Sequence, residues 1–284
     1  MKADNFDLAA YLRRIGFRGP AGPDLETLIE LMRAQLQSVP FENLDIQAGA
    51  IVSLAPEDMV RKIVGERRGG YCYELNGVFA MALQALGIEY WFIAARPRIY
   101  AARRPKTHMA VLARLGGEMY LCDMGFGSHG IRAPMALSRH GQPIAQDGDT
   151  YRLVPLETGM FRLEALLQEA WAPQYEFDLA PQEHLDFAPA NFFNSRHPDS
   201  MFVQKLIVVM QTARGRMLLV DRRLTTLQDG RATAHELDDA GIGTALADVF
   251  GLRRPAPQGQ VVGRASSGAA PAGGGRPGAG DRTQ

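Results

Sequence analysis

The chain has 284 residues, enough for one large domain or two to three smaller ones, and 46% of its residues are hydrophobic. Its formal net charge is zero, which argues against nucleic acid or an anionic membrane as the main partner. No run of about 18 apolar residues is present that could cross a membrane. The two cysteines, Cys72 and Cys122, are too few for a disulfide framework.

The N-terminal residues and the spacing of the histidines bear on cellular location and on metal binding. Met1 to Ala10 contains Lys2, Asp4 and Asp7, and no long apolar run follows, so we expect no signal peptide. Few cysteines and no leader fit a reducing cytoplasm, and we therefore expect a cytoplasmic protein. The six histidines are scattered and no group of Cys and His has zinc spacing, so no metal is predicted.

Residues 1–88 are predicted to form a helical bundle. Asp7 to Ile15 is a short amphipathic stretch, and Asp24 is placed to cap a second helix with apolar residues along one face. Pro56 opens a third helix. A fourth begins at Cys72, where apolar residues recur with helical spacing.

Residues 89–200 are predicted to form an antiparallel β-barrel, because short β-forming runs alternate there with turn residues. The clearest pair of runs is His108 to Leu115 and Glu118 to Met124, joined at Gly116-Gly117. The other runs are Tyr90 to Ala95, Tyr151 to Leu156, Met160 to Leu166 and Gln174 to Leu179. The fold class expected from these patterns is α+β.

The last part of the chain changes character twice. Residues 201–254 mix three strand-like runs with a helix at Ile242 to Phe250, which predicts a smaller α/β unit. From Pro255 the sequence consists mainly of Gly, Ala, Pro, Ser and Arg, with almost nothing to bury. We therefore expect residues 255–284 to form a disordered tail.

Cys72 lies at the expected first turn of its helix, and Gly69 and Gly70 precede it. Unpaired backbone N–H groups and the positive end of the helix dipole favour an anion at such a position. Helix N-termini and cationic neighbours lower the pKa of cysteines from about 8.5 to roughly 3.5–7.5. A lone cysteine is more often a small buried hydrophobe, but the two glycines and the neighbours described next favour a reactive thiolate.

A base for this thiol is predicted from the hairpin at Gly116-Gly117. If the two glycines form a two-residue turn, His108 and Asp123 lie on the same face of the ribbon, on a diagonal. A three-residue loop would move one of them to the other face. The structural alternative is a satisfied histidine and a turn carboxylate. With Cys72, the two residues have the roles of a cysteine triad.

Five segments together resemble the motifs of the arylamine N-acetyltransferases. They are Ser38 to Asp45, Arg68 to Glu74, Thr107 to Met109, Asp123 to Gly127 and Ser195 to Phe202. Any one of these segments alone would be weak evidence, but the five follow one another in the family's order. The likeness extends from about Phe6 to Leu252. The resemblance implies a helical domain, a β-barrel domain and an α/β lid, with the triad arranged as in cysteine proteases.

The resemblance also implies a reaction. Cys72 would accept an acetyl group from acetyl-CoA, His108 would be its ion-pair partner and proton shuttle, and Asp123 would orient the imidazolium. An arylamine, arylhydroxylamine or hydrazine would then attack the thioester in a ping-pong reaction. Small-molecule substrates are thus the expected partners, with no permanently bound cofactor, and a homo-oligomer is left open.

Further residues are assigned by the same resemblance. Phe41 and Phe202 match aromatic residues of the acceptor pocket, with ordinary core packing as the alternative. The positions matched to the CoA path are Thr107, Gly125, Phe126 and Gly127. Ser128 departs from the pattern, because the family often has glycine there. Arg68 and Glu42 are expected to form a structural ion pair.

Two other features are less specific. The loop with Arg103, Arg104 and Lys106 lies beside His108, where it could meet CoA phosphates or remain solvated. Cys122 points away from Asp123 on the ribbon and is expected to be a small buried hydrophobe.

Three alternative functions stay open. A cysteine hydrolase uses the same three residue types, although the Arg-Gly-Gly-Tyr-Cys context is against it. An amide synthase of the same family joins an arylamine to a large acyl precursor without CoA. A binding module would keep the three residues without the chemistry.

Overall fold

A computed structural model of the chain describes residues 1–100, 102–127 and 129–255. Almost all of the predicted tail, and Ser128, lie outside these ranges. The helices in the described ranges are α1 (Leu8–Ile15), α2 (Leu25–Ser38), α3 (Leu44–Gln47), α4 (Pro56–Val60), α5 (Cys72–Ala85), α6 (Ala188–Arg196), α7 (Met201–Gln204) and α8 (Asp239–Thr244). None of the helices in this part of the chain is both long and apolar enough to cross a bilayer.

The strands form two antiparallel sheets. Those before α6 are β1 (Phe41–Glu42), β2 (Glu89–Pro97), β3 (His108–Leu115), β4 (Glu118–Cys122), β5 (Met135–Ala136), β6 (Ile144–Gln146), β7 (Asp149–Pro155), β8 (Phe161–Leu167) and β9 (Ala170–Phe177). Those after α7 are β10 (Ile207–Thr212), β11 (Gly215–Val220), β12 (Arg223–Gln228) and β13 (Arg231–Glu236). The molecule is therefore α+β, as predicted.

The helices of the N-terminal part begin where the capping residues predict. The side chain of Asp7 accepts a hydrogen bond from Ala10 N at 2.6 Å, and that of Asp24 accepts one from Thr27 N at 2.7 Å. Each bond satisfies one of the N–H groups that a helix leaves unpaired in its first turn. The helix opened by Pro56 continues past Val60 as a π-helical turn.

The eight-stranded sheet has the order β5-β4-β3-β2-β9-β8-β7-β6. In the β3–β4 hairpin Leu115 pairs with Glu118 and Val111 with Cys122, the register that a two-residue Gly116-Gly117 turn predicts. Within the described residues the outer strands β5 and β6 do not pair with each other. The expected β-barrel is therefore an open sheet curled into a half-barrel.

The five-stranded sheet has the order β1-β10-β11-β12-β13 and joins distant parts of the chain. Phe41 of β1 pairs with Val209 of β10, and Phe41 also bridges to Gly70. The segment before Cys72 is thereby attached to strands near the C-terminal end. Sequence analysis did not predict α3, α6, α7, β1, β5, β6 or β13. The division at residues 88, 200 and 254 stays a prediction.

Helix α5 lies at the centre of the hydrophobic core. Each of its residues from Cys72 to Leu83 is buried. One apolar cluster runs from the N-terminal helices through α5 to the eight-stranded sheet and includes Leu28, Phe79, Val111 and Leu163. Because α5 is surrounded on all sides, the position of its first residue is fixed by packing along the whole helix.

A network of charged side chains lies beneath the loop that leads to Cys72. Lys62 Nζ is 2.7 Å from Glu74 Oε1 and 2.6 Å from Asp45 Oδ2. Arg68 Nη2 is 2.7 Å from Glu42 Oε1 and 3.0 Å from Asp45 Oδ1, which confirms the predicted Arg68–Glu42 pair. Burial lowers the pKa of Lys62, but its three carboxylate neighbours outweigh burial and raise the pKa above its usual value.

The loop glycines are required by close contacts with this network. A Cβ atom on Gly69 would lie 2.1 Å from Pro40 O, and one on Gly70 would lie 2.8 Å from Glu74 Oε2. Glu74 in turn accepts a hydrogen bond from Tyr71 N at 3.0 Å and caps α5. The two glycines therefore let the chain pass directly over the charged side chains into the helix.

Replacing Lys62 by Met is expected to lower the free energy of unfolding by about 3–5 kcal/mol, because buried carboxylates lose their cation. The matched control is Arg61→Met, which removes an exposed cation whose pairs, with Asp58 and Glu66, lie at the surface. That control should change stability by about 1 kcal/mol or less. Urea unfolding followed by circular dichroism measures both variants. Equal losses would contradict the proposed importance of the buried network.

Candidate active site

Cys72, His108 and Asp123 meet where α5 begins and where β3 begins and β4 ends. His108 Nε2 lies 2.7 Å from Asp123 Oδ2, and Cys72 is close enough to the ring to help raise the pKa of the imidazole. Since Nε2 is engaged by Asp123, Nδ1 is the ring nitrogen left for the thiol. All three side chains are buried. The structure thus brings together the three residues that the sequence nominates.

The environment of His108 favours its charged form. Burial lowers the pKa of the imidazole, but the charge of Asp123, its hydrogen bond and the contact with Cys72 outweigh burial and raise the pKa to about 10. The ring is therefore an imidazolium at neutral pH. A positive charge beside the sulfur stabilises a thiolate.

Asn76 joins the helix to the two strands, and sequence analysis did not nominate it. It follows Cys72 by one helical turn and is fully buried. Asn76 Nδ2 donates to Met109 O at 2.8 Å and to Asp123 Oδ1 at 3.2 Å, and Asn76 Oδ1 accepts from Met124 N at 2.8 Å. A polar residue among the apolar positions of α5 was the one signal of this role.

The turn after β4 touches the helix through its backbone. A Cβ atom on Gly125 would lie 2.3 Å from Cys72 Cα, so only glycine fits there. Gly125 N donates to Asp123 Oδ1 at 2.9 Å and helps to hold the carboxylate. The next residue, Phe126, places its ring 5.1 Å from that of His108. Tyr175 of β9, also not nominated, contacts both rings.

The backbone carbonyl of Thr107, just before His108, is held by two buried side chains. Tyr73 Oη donates to Thr107 O at 2.7 Å, and Asn194 Nδ2 donates to the same oxygen at 3.1 Å. Asn194 belongs to α6, and Asn191 of the same helix hydrogen-bonds with the Tyr71 hydroxyl. Helix α6 is thereby linked to the residues on both sides of Cys72.

A cavity of about 300 Å³ opens onto Cys72 and His108. Asp123 does not line it and lies behind the imidazole. The predicted substrate and CoA residues all contribute to its wall, namely Phe41, Phe202, Thr107, Gly125, Phe126 and Gly127. The rings of Phe41 and Phe202 are 5.9 Å apart. One part of the wall was not predicted and comes from the five-stranded sheet, with Ile207, Val209, Leu218 and Val220.

The basic residues of the loop before His108, and Cys122, were also considered in the sequence analysis. Arg104 lines the cavity, Arg103 is exposed, and Lys106 forms an ion pair with Asp178. Cys122 is fully buried, and burial raises the pKa of its thiol, as expected for a structural cysteine. In the described ranges no group of three or more His, Cys, Asp or Glu side chains is placed to hold a metal ion.

Comparison with known proteins places the chain in a family. A family model described as N-acetyltransferase matches residues 24–257. The chain belongs to the arylamine N-acetyltransferase family, and it is an acetyltransferase. An arylamine N-acetyltransferase of Mycobacterium tuberculosis is 34% identical over 255 residues, which cover 87% of this chain and 89% of that protein. One from Escherichia coli is 30% identical over 247 residues, covering 85% of this chain and 87% of that protein.

Solved structures agree with this assignment. The arylamine N-acetyltransferase of Mycobacterium abscessus superposes with a TM-score of 0.83 at 31% identity, covering 89% of this chain and 92% of that chain. The enzyme of Mycobacterium marinum in complex with CoA superposes with a TM-score of 0.81 at 32% identity. The match covers 87% of this chain and 93% of that chain. The family resemblance read from the five sequence segments is confirmed.

Replacing Tyr73 by Phe is expected to slow acetyl transfer about three- to tenfold, because Thr107 O loses one of its two side-chain donors and His108 is held less firmly. Steady-state rates measure the effect, and thermal unfolding tests the fold. Tyr71→Phe is the matched control, since it removes a buried hydroxyl on the other side of Cys72 without touching Thr107. A similar loss of rate in both variants would contradict this role.

Proposed function

We propose that the chain transfers an acetyl group from acetyl-CoA, through a thioester on Cys72, to an arylamine, arylhydroxylamine or hydrazine. The observation that carries the proposal is the placement of Cys72 beside His108, which is hydrogen-bonded to Asp123, at the end of a largely apolar cavity. The Mycobacterium marinum relative solved in complex with CoA supports the choice of donor.

In the first half-reaction the Cys72 sulfur attacks the carbonyl carbon of acetyl-CoA. A new C–S bond forms, and the negative charge of the intermediate rests on the carbonyl oxygen. A helix leaves its first N–H groups without partners, and we assign the backbone N–H groups of Cys72 and Tyr73, at the start of α5, as donors to that oxygen. The bond to the CoA sulfur then breaks, and His108 gives its proton to the departing thiolate.

In the second half-reaction the amine nitrogen attacks the carbonyl carbon of the Cys72 thioester. Neutral His108 accepts a proton from the nitrogen, so the amide leaves uncharged and Cys72 leaves as a thiolate. The imidazolium is restored, and Asp123 stabilises its charge whenever the ring is protonated. Each proton and electron pair is accounted for without any further group.

The cavity wall supports an aromatic acceptor. Phe41 and Phe202 present two rings with tilted planes, and strands β10 and β11 add aliphatic side chains to the lining. Such a surface gains free energy by removing an apolar ring from water and by aromatic contact. The same apolar lining favours transfer to a bound amine over hydrolysis, because it offers few groups that could position water.

Removing the nucleophile tests the covalent step. Wild-type protein incubated with acetyl-CoA should gain one acetyl group on Cys72, seen by mass spectrometry, and Cys72→Ala should gain none. Transfer by this variant should fall by roughly a thousandfold or more, because the covalent route is lost. Cys122→Ala removes the other cysteine and should keep the adduct.

Acetylation persisting in Cys72→Ala would refute the assignment. A wild-type protein that forms no adduct but turns over peptide substrates would instead be a hydrolase. One that accepts acyl groups only from a donor without CoA would be an amide synthase.

The imidazolium predicts a pH dependence. Because the pKa of His108 is raised to about 10, its charge is present at neutral pH and is lost as the pH rises through about 10. Alkylation of Cys72 by iodoacetamide should therefore already be fast at about pH 7 in the wild type, because the imidazolium favours a thiolate beside it. In His108→Gln it should be slower at neutral pH and increase steeply with pH.

The control for alkylation is His197→Gln, since His197 is exposed and stacks on Phe193. It should leave the pH profile unchanged. An unchanged profile in His108→Gln would argue against the ion pair.

A further inference from the structure

The basic stretch 103–106, between β2 and β3, contains three cations, and the structure separates them. Lys106 is paired with Asp178, and the side chain of Arg103 is exposed. Arg104 alone of the three lines the cavity that opens onto Cys72. Among the described residues no carboxylate forms an ion pair with Arg104. The loop therefore presents one uncompensated positive charge to the cavity.

The Arg104 side chain is held in place by neutral groups. Its Nη1 donates to the backbone oxygen of Asp199 at 3.0 Å, and its guanidinium carbon lies 5.1 Å from the centre of the Tyr100 ring. Its own carbonyl oxygen accepts a hydrogen bond from Arg96. Arg104 Nε is buried and has no hydrogen-bond partner among the described residues. A buried donor without a partner is costly and is normally satisfied by a ligand or by water.

A second uncompensated cation lines the same cavity. Lys205 follows α7 and contributes to the wall from a part of the chain distant from Arg104. No carboxylate in the described ranges forms an ion pair with it. Asp199 is the one acidic residue in the lining, and it meets Arg104 through its backbone oxygen. The charged part of the wall is therefore net positive beside an apolar remainder.

We propose that Arg104, assisted by Lys205, binds the phosphate groups of the acyl donor. This inference rests on the proposed use of acetyl-CoA. Coenzyme A carries a diphosphate and a 3′-phosphate, whereas the proposed amine and hydrazine acceptors need no negative charge. The planar guanidinium offers paired N–H donors that match phosphate oxygens, and the lysine adds a mobile point charge. The two cations thus select the donor, not the acceptor.

The test compares two donors with the same thioester and pantetheine arm. Acetyl-CoA also carries the phosphates and an adenosine, and acetyl-pantetheine carries neither. Arg104→Gln should raise KM for acetyl-CoA roughly tenfold with kcat little changed, because a charge-assisted contact is lost. The KM for acetyl-pantetheine should change less than about twofold, since no such contact exists to lose. Lys205→Gln should show the same selectivity with a smaller effect.

Arg103→Gln is the matched control, because it makes the same charge change in the same loop at a side chain outside the cavity lining. It should leave both donors nearly unaffected. If Arg103→Gln and Arg104→Gln raise KM for acetyl-CoA equally, the cations attract the donor through long-range electrostatics only. The proposed contact with Arg104 is then wrong. Equal effects of Arg104→Gln on both donors would also overturn it, since the residue would then support the loop.

Acceptor charge provides a separate outcome. If Arg104→Gln raises KM for an aminobenzoate but not for a neutral aniline, with KM for acetyl-CoA unchanged, the cation binds an acceptor carboxylate and this inference fails. Failure of the proposed function is distinguishable, because the wild type would then transfer no acetyl group from acetyl-CoA. If the wild type uses acetyl-CoA and Arg104→Gln has the same KM for acetyl-CoA, the proposed phosphate site is wrong and the proposed function still stands.

Discussion

The contact on which the site depends is the one between the first residue of α5 and the turn after β4. A side chain as small as a methyl group on Gly125 would come within 2.3 Å of Cys72 Cα, so the two backbones approach as closely as a polypeptide allows. Asn76 fills the remaining gap and satisfies polar groups of both strands. Because a backbone contact cannot adjust by rotating a side chain, the distance from sulfur to imidazole is set by the packing of a buried helix against a sheet.

The buried charges below the Cys72 loop extend the same constraint. Taking Lys62, Arg68 and three carboxylates out of water is expensive, and an apolar cluster of equal volume is often as stable. What the ionic network provides is a single arrangement, because each charge has few positions in which it is fully paired. Glu74 belongs both to this network and to the cap of α5. The ion pairs therefore determine where the helix begins, and with it where Cys72 is placed.

The parts of the site that could be predicted from sequence are those fixed by short-range geometry. The Gly116-Gly117 turn determines the register of β3 and β4, and the register alone puts His108 and Asp123 on one face. The pairing of β1 with β10 and the apolar wall from β11 depend on contacts across more than half the chain, which no local pattern encodes. Strand β13 is exposed along its whole length, so it lacks the alternation that identifies strands. Whether a sheet closes into a barrel is likewise decided by pairing between its outer strands.

The surroundings of His108 suit a group that must release its proton and later recover one. Its raised pKa has two sources, the carboxylate of Asp123 and the sulfur of Cys72. On the proposed mechanism the contribution from sulfur disappears when Cys72 is acetylated, because a thioester carries no charge. Burial then weighs more heavily against the imidazolium, and the pKa of the ring falls at the step in which CoA thiolate needs a proton. The neutral ring that results is the base required by the amine, and the charge returns to the sulfur when the amide leaves. One buried imidazole can therefore serve both half-reactions because its partner alternates between charged and uncharged.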